Sequence, residues 1–94
     1  MRRVRRSTAF RRDARREDRG RCQGQVEPIL RPVLAALAAD VPLPAANRDH
    51  ALSGQWTGYR ECHVRPDLLL VYRKSDTDSL QLVRLGSHAL LFGR

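Results

Sequence analysis

Residues 59–74 read Tyr59-Arg60-Glu61-Cys62-His63-Val64-Arg65-Pro66-Asp67-Leu68-Leu69-Leu70-Val71-Tyr72-Arg73-Lys74, and they decide the fold. From Tyr59 to Arg65 the pattern alternates. Tyr59, Glu61, His63 and Arg65 fall on one face, and Cys62 and Val64 on the other, as expected of a strand. Pro66 and Asp67 supply turn chemistry. Leu68 to Lys74 is then an apolar run of strand length. Asp76, Thr77 and Asp78 predict a second turn, Leu80 to Leu85 a third strand ending at Gly86, and His88 to Phe92 a short terminal element.

Upstream the period changes. Ala45 to Gly58 predicts a long loop in which Gly54 and Gly58 flank Trp56. Before it, Val26, Ile29, Leu30, Val33, Leu34 and Leu37 recur at helical spacing and mark one apolar stripe. Pro28 suits a first helical turn. Pro32 cannot donate a backbone hydrogen bond and crowds the preceding turn, so the regular part is expected to begin near Arg31 or the helix to kink. Val41, Pro42, Leu43 and Pro44 end it. From Thr8 to Arg21 the chain is charged and free of glycine until Gly20, which predicts a first helix. Asp13 and Glu17 sit one turn apart, with Arg16 and Arg21 at pairing distance. Only Phe10 and Ala14 offer it apolar contact, so its anchoring looks thin. A short strand is expected around Val4. Helices followed by an antiparallel meander make an α+β plan.

The chain has 94 residues and a formal net charge of +8, enough for one small domain with an affinity for polyanions. The charge is uneven. Ten arginines lie between Met1 and Arg21 against Asp13, Glu17 and Asp18, so this segment carries +7 and the remainder +1. Two readings fit, a solvated face or tail and a surface that tracks phosphates. Cys22 and Cys62 match no metal or redox spacing; a disulfide between them is one option, a reduced compartment the favoured one. No apolar run has the length of a membrane span, and no apolar core follows the first arginines, so a cytoplasmic protein without a membrane role is expected.

The three histidines, His50, His63 and His88, sit at the edges of predicted elements, and Asp67 and Arg84 lie near strand ends as well. A meander can bring these ends together. Metal-free RNA cleavage needs a base for the ribose 2′-hydroxyl, a cation for the phosphorane-like transition state and an acid for the leaving 5′-oxygen. Histidine suits both proton roles and arginine suits the phosphate. Phe92 or Trp56 offers a ring for an unpaired base, with core packing as the competing role. Zinc would accept the same histidines and carboxylates, but their spacing matches no compact zinc pattern, so no metal and no cofactor are expected. Arg84 shares its side with Leu80 and Leu82, with Val83 and Leu85 opposite; alternation alone leaves its direction open.

The stretch from Asp49 through His50, Leu52, Gly54, Trp56, Gly58, Tyr59, Arg60 and His63 to Pro66 and Asp67 resembles the YafQ branch of the RelE toxins. Leu70-Val71-Tyr72, Arg84-Leu85-Gly86-Ser87-His88 and Leu91-Phe92 continue the likeness, and Thr8, Phe10, Asp13, Gly20 and Leu43-Pro44 echo it more weakly. The resemblance implies two helices packed on a twisted antiparallel sheet. It implies a toxin that cleaves messenger RNA in the ribosomal A site and is neutralised by an antitoxin encoded beside it, with any operator DNA bound only through the antitoxin complex. Carried over by position, His50 would be the general base and His88 the general acid. Arg84 would hold the scissile phosphate, and His63 and Asp67 would assist. Phe92, Trp56 and Arg60 would contact substrate. The family often has tryptophan after the Pro-Asp pair, where this chain has Leu68, so a stacking surface is missing. Two other readings compete, a ParE-like toxin directed at DNA gyrase, which would not need the three histidines, and a non-catalytic nucleic-acid-binding relative.

Overall fold

The hairpin predicted by the alternation forms as β3 (Arg60–Arg65) and β4 (Leu68–Lys74). A computed structural model describes residues 1–75 and 78–93. Asp76 and Thr77, two positions of the expected second turn, lie outside the described residues. The remaining elements are β1 (Arg3–Arg6), α1 (Thr8–Arg19), α2 (Val26–Ala38), β2 (His50–Ala51), β5 (Ser79–Gly86) and α3 (His88–Phe92).

The sheet order is β1-β5-β4-β3-β2. β2 through β5 pair antiparallel, as expected, but β1 pairs parallel with β5. The sheet is therefore mixed rather than antiparallel throughout. The strand near Val4 exists, and the chain's first strand joins its last across the intervening helices, a long-range pairing that local alternation does not encode. β1 is exposed along its length, and its arginines discourage further pairing at that edge.

The expected loop from Ala45 to Gly58 is more ordered than its composition suggests. It contains two 3-10 turns, Ala45–Asn47 and Gly54–Trp56, and between them β2, which pairs His50 with Glu61 and Ala51 with Arg60. His50 is thus on an edge strand, not in a free loop. α2 runs unbroken through Pro32 and begins at Val26 rather than near Arg31. Pro28 and Pro32 both lie on its exposed side, and the buried stripe of Val26, Leu30, Val33, Leu37 and Ala38 holds it to the sheet. Burial of each large apolar side chain contributes about 1.5–3 kcal/mol, comparable to the cost of about 3 kcal/mol for one interior proline.

The stripe of α2 meets Phe10 from α1 and Cys62, Leu68, Leu70, Tyr72, Leu80, Leu82 and Leu85 from one face of the sheet. Leu68, 2% exposed, belongs to this core, so its replacement of an aromatic residue acts on packing. Leu69 and Val71 are fully buried outside that cluster, which is why β4 reads as a continuous apolar run. Cys22 and Cys62 are both free and buried. Burial pushes the Cys62 thiol up to about 12, so it stays protonated and unreactive.

α1 is better anchored than its two apolar residues suggest. Ser7 caps it, accepting from the Phe10 N–H at 2.9 Å and donating to the Val83 carbonyl at 2.8 Å. β1 ends at Arg6, so β5 beyond Leu82 has an open edge. Asp13, 2% exposed, covers it by accepting from the Leu85 N–H at 2.9 Å and from Arg84 Nε at 2.7 Å. Arg16 donates to Asp13 at 2.7 Å and to the Leu85 carbonyl at 2.8 Å. A bulge between Val71 and Tyr72 in the β4–β5 register breaks the alternation, so Leu82 and Leu85 both face the helices while Arg84 aligns with Val71. That settles the direction left open by parity. Gly86 does not adopt a left-handed conformation; it is small because a Cβ there would meet Arg16 Nη2 and Leu90 Cδ2, each at 3.0 Å.

Burial alone would raise the Asp13 pKa, but hydrogen bonds from Arg84, the Leu85 N–H and Arg16 outweigh it and hold the carboxyl below its ordinary range. Its stabilising effect is then present above the unfolded-state value of about 3.9 and is lost as pH falls through the lower folded-state value. Asp13→Asn is expected to lower the unfolding free energy at pH 7 by about 2–3 kcal/mol in chemical denaturation, with wild type and variant converging below about pH 4. Equal stability at pH 7 would show that the carboxylate charge contributes nothing.

Candidate functional site

The face of the sheet turned away from the helices carries the polar residues of β3. Register aligns Glu61, Val71 and Arg84 in one row across β3, β4 and β5, and His63, Leu69 and Gly86 in the next. β2 brings His50 beside Glu61, and the turn after β5 places α3 so that His88 comes over the same region. Ser87 caps α3 by accepting from the Leu90 N–H at 3.1 Å.

Glu61 is the centre of the arrangement and was not singled out by the sequence. Its side chain is 5% exposed and lies 3.0 Å from His50 Nε2 through Oε2 and 3.4 Å from His88 Nε2 through Oε1. The available signal was a carboxylate on the polar side of β3, two residues before His63, but charged residues on alternating strands are ordinarily solvent-facing. His63 is 9% exposed, and its ring lies 5.4 Å from that of His88. Asp67 Oδ1 accepts from the His88 backbone N–H at 3.2 Å and lies 3.5 Å from His88 Nδ1. Four of the five expected catalytic residues, His50, His63, Asp67 and His88, therefore converge.

Hydrogen bonds orient the rings. His63 Nδ1 lies 3.1 Å from the Pro66 carbonyl and His50 Nδ1 lies 2.7 Å from the Arg48 carbonyl. A carbonyl only accepts, so each Nδ1 carries a hydrogen and Nε2 is left to the site. For His50 this sets the Nε2 lone pair against the Glu61 carboxylate unless one proton lies between them. Arg84 is held elsewhere in its row, donating Nε and Nη2 to Asp13 at 2.7 and 3.3 Å.

The expected substrate contacts divide. Trp56 stacks edge-on against Phe92 at 5.9 Å and against Tyr59 at 5.5 Å, and Phe92 is 6.3 Å from His88. Trp56, Phe92, Leu91, Gln55, Glu61 and His88 border an open cleft of about 720 Å³. Arg60 points away from it, toward Tyr72 Oη at 3.2 Å and Asp49 at 3.4 Å. That network is structural. Tyr72 donates to Asp49 at 2.5 Å, and burial together with this bond raises the Tyr72 pKa well above its ordinary value. Among the described residues, Glu61, His63 and His88 each present one potential metal-ligand atom within 4.8 Å of the others, a cluster hidden by their spacing in the chain. No helix among the described residues is long and apolar enough to cross a membrane.

Comparison with known proteins matches this architecture. The family model for the bacterial toxin of type II toxin–antitoxin systems, YafQ, matches residues 2–93. The mRNA interferase toxin YafQ of Escherichia coli K12 is 51% identical over 53 residues, 56% of this chain and 56% of that protein, so the match spans about half the length of that curated relative. Among solved structures, a metal-bound toxin from Helicobacter pylori superposes with a TM-score of 0.86 at 40% identity, covering 98% of this chain and 100% of the other. YafQ in the E. coli DinJ–YafQ complex superposes with a TM-score of 0.83 at 34% identity, covering 99% and 100%. From the family model over nearly the whole chain and these full-length superpositions, the chain belongs to the YafQ family of bacterial toxins of type II toxin–antitoxin systems.

Proposed function

We propose that the chain is the toxin of such a pair, an endoribonuclease that cuts messenger RNA on the ribosome by metal-independent acid–base chemistry. The observation that carries this reading is the buried Glu61 carboxylate between His50 and His88, with His63 and Asp67 beside it, at the edge of a cleft bordered by Trp56 and Phe92. A gyrase-directed toxin has no use for such a set.

The ribose 2′-hydroxyl enters with its oxygen in line with the scissile phosphorus. Its proton passes to the His50–Glu61 pair, which without a proton holds a lone pair against a carboxylate and is a ready acceptor. The O2′–P bond forms as the P–O5′ bond breaks. His88, between Glu61 and Asp67, carries the proton that goes to the leaving O5′. Arg84, oriented by Asp13, offers positive charge to the phosphorane-like transition state. His63 holds the neighbouring His88 ring in place. The rings of Trp56 and Phe92 receive an unstacked base. The products are a 2′,3′-cyclic phosphate and a 5′-hydroxyl.

Charge divides the helices' surface in a way that suits two macromolecular partners. Arg16 and Arg21 are spent on Asp13, Glu17 and the Asp67 carbonyl. Arg11, Arg12, Arg15 and Arg19 are exposed on α1. They offer a surface for ribosomal RNA and, in the silenced state, for an acidic antitoxin segment that orders as it binds; the similar E. coli YafQ forms a complex with DinJ.

Three outcomes are expected. In single-turnover cleavage of messenger on programmed ribosomes, His88→Gln and Glu61→Gln each slow the reaction by about 10²–10⁴-fold with little change in melting temperature, and wild-type activity survives a zinc-selective chelator. A variant that melts early but cleaves normally once folded would remove His88 from the chemistry. Reversal of charge at Arg11, Arg12, Arg15 and Arg19 weakens ribosome binding and flattens its salt dependence, leaving the cleavage step of bound ribosomes intact; an unchanged salt slope would make that surface a solvated face. Co-expression with the product of the adjacent acidic reading frame abolishes both growth arrest and cleavage, and persistence of both would refute the partnership.

A further inference from the structure

We infer that Tyr59, Arg73 and Arg5 form an accessory subsite for single-stranded RNA, which carries the strand out of the cleft and across the sheet. That the strand is a messenger being cut rests on the nuclease reading above; the surface itself rests on strand register, ring contacts and charge.

A third row of residues crosses the sheet beside the row of Glu61, Val71 and Arg84. Gln81 pairs with Arg73 on β4 and with Arg5 on β1. Arg60 pairs with Tyr72, so Tyr59 arrives next to Arg73. Alternation sets the face. Tyr72, Leu80 and Leu82 belong to the core beneath the helices, and Val4 borders a groove on that side with Phe10. Their neighbours Arg73, Gln81 and Arg5 therefore point the other way, onto the face that holds Glu61 and the histidines. The row lies two residues along each strand from Glu61, a step of roughly 7 Å. The exposed arginines of α1 lie on the helix side of the sheet and are a separate surface.

Ring contacts make this row continuous with the cleft. Trp56 and Phe92 border the cleft, Trp56 meets Tyr59 edge-on at 5.5 Å, and the Arg73 guanidinium carbon lies 5.7 Å from the Tyr59 ring centroid. That cation–π contact orients the arginine and leaves its N–H donors open. Charge is available here. Arg16, Arg21, Arg60 and Arg84 are each tied to a carboxylate. Arg73 and Arg5 are exposed, and among the described residues no carboxylate pairs with either. Unspent arginines beside an accessible ring suit a strand whose phosphates meet the cations and whose unstacked base meets the ring. A duplex presents phosphates but keeps its bases stacked, so Tyr59 has a use only with a single strand.

The test uses the full chain carrying His88→Gln, so that the probe stays intact, with an unstructured trinucleotide and octanucleotide of RNA read by fluorescence anisotropy. The octanucleotide is expected to bind more tightly than the trinucleotide. Arg5→Gln combined with Arg73→Gln should remove that advantage and flatten the octanucleotide's log–log salt slope by about 1.4, at about 0.7 for each phosphate of a single strand. Tyr59→Leu should weaken octanucleotide binding by about 5–100-fold, the usual worth of one stacked base, and Tyr59→Phe should restore it. The trinucleotide should bind all these variants alike, which also reports an intact cleft. With His88 restored, the double arginine variant should need more protein for half-maximal cleavage on programmed ribosomes and reach the same rate at saturation. An octanucleotide that binds no tighter than the trinucleotide, or a double variant with unchanged affinity and salt slope, overturns the subsite. Duplex RNA bound as tightly as the octanucleotide, with Tyr59→Leu silent, overturns the single-stranded ligand. Binding as expected by a chain that never cleaves with His88 in place would sink the nuclease reading and leave the subsite standing.

Discussion

The carboxylate of Asp13 is the constraint on which the remaining geometry depends. β5 outruns its parallel partner β1, and the exposed stretch of its edge must find hydrogen-bond partners or water. Ser7, Asp13 and Arg16 supply them from α1. An otherwise polar helix is thereby locked to the sheet by side chains bonding to backbone, with Phe10 alone buried beneath it as a large apolar anchor. Two arginines, Arg16 and Arg84, satisfy the buried charge in return. Charges of opposite sign that are removed from water hold only when paired and hydrogen-bonded, and here the pairing also fixes where Arg84 lies.

Consequences run from that edge to the candidate site. A Cβ at Gly86 would lie 3.0 Å from both Arg16 Nη2 and Leu90 Cδ2, so a side chain there would have to displace them, and Gly86 leads directly to Ser87, the cap of α3. The position of His88 thus follows from the packing of α1 on β5. From the other side, β2 sets His50 against Glu61 by strand register. The site is assembled from two ends of the sheet by backbone pairing, which holds side chains more tightly than loops do. At its centre, one carboxylate lies between two imidazoles, 3.0 Å from His50 Nε2 through one oxygen and 3.4 Å from His88 Nε2 through the other.

The arginine-rich first segment is two structures in one. Arg16 and Arg21, although exposed, spend their guanidinium groups on the buried carboxylates of Asp13 and Glu17, whereas Arg11, Arg12, Arg15 and Arg19 are exposed on the surface of α1. Helical spacing supplies the pairing, because Arg16 lies three residues from Asp13 and Arg21 four from Glu17. The net charge therefore overstates what is available to a polyanion, since part of it neutralises the interior.

Sequence alone determined the elements whose signal is local. The period of α2, the β3–β4 hairpin with its Pro66-Asp67 turn, β5 and the terminal element at His88 were all legible, because side-chain periodicity and turn chemistry act within a few residues. His50, His63, Asp67 and His88 were legible through residue type and their resemblance to a known family. Tertiary structure alone decided the rest. The parallel pairing of β1, the strand at His50 and the continuity of α2 through Pro32 depend on contacts between distant segments, and these override local preference. The direction of Arg84 depends on a bulge that alternation does not announce. Glu61 looked like an ordinary outward-facing strand residue; only when β2 and α3 close over that face does it become a buried carboxylate between two histidines. A residue's chemistry is set by the charge, burial and hydrogen-bond partners around it, and these come from the whole fold rather than from its neighbours in the chain.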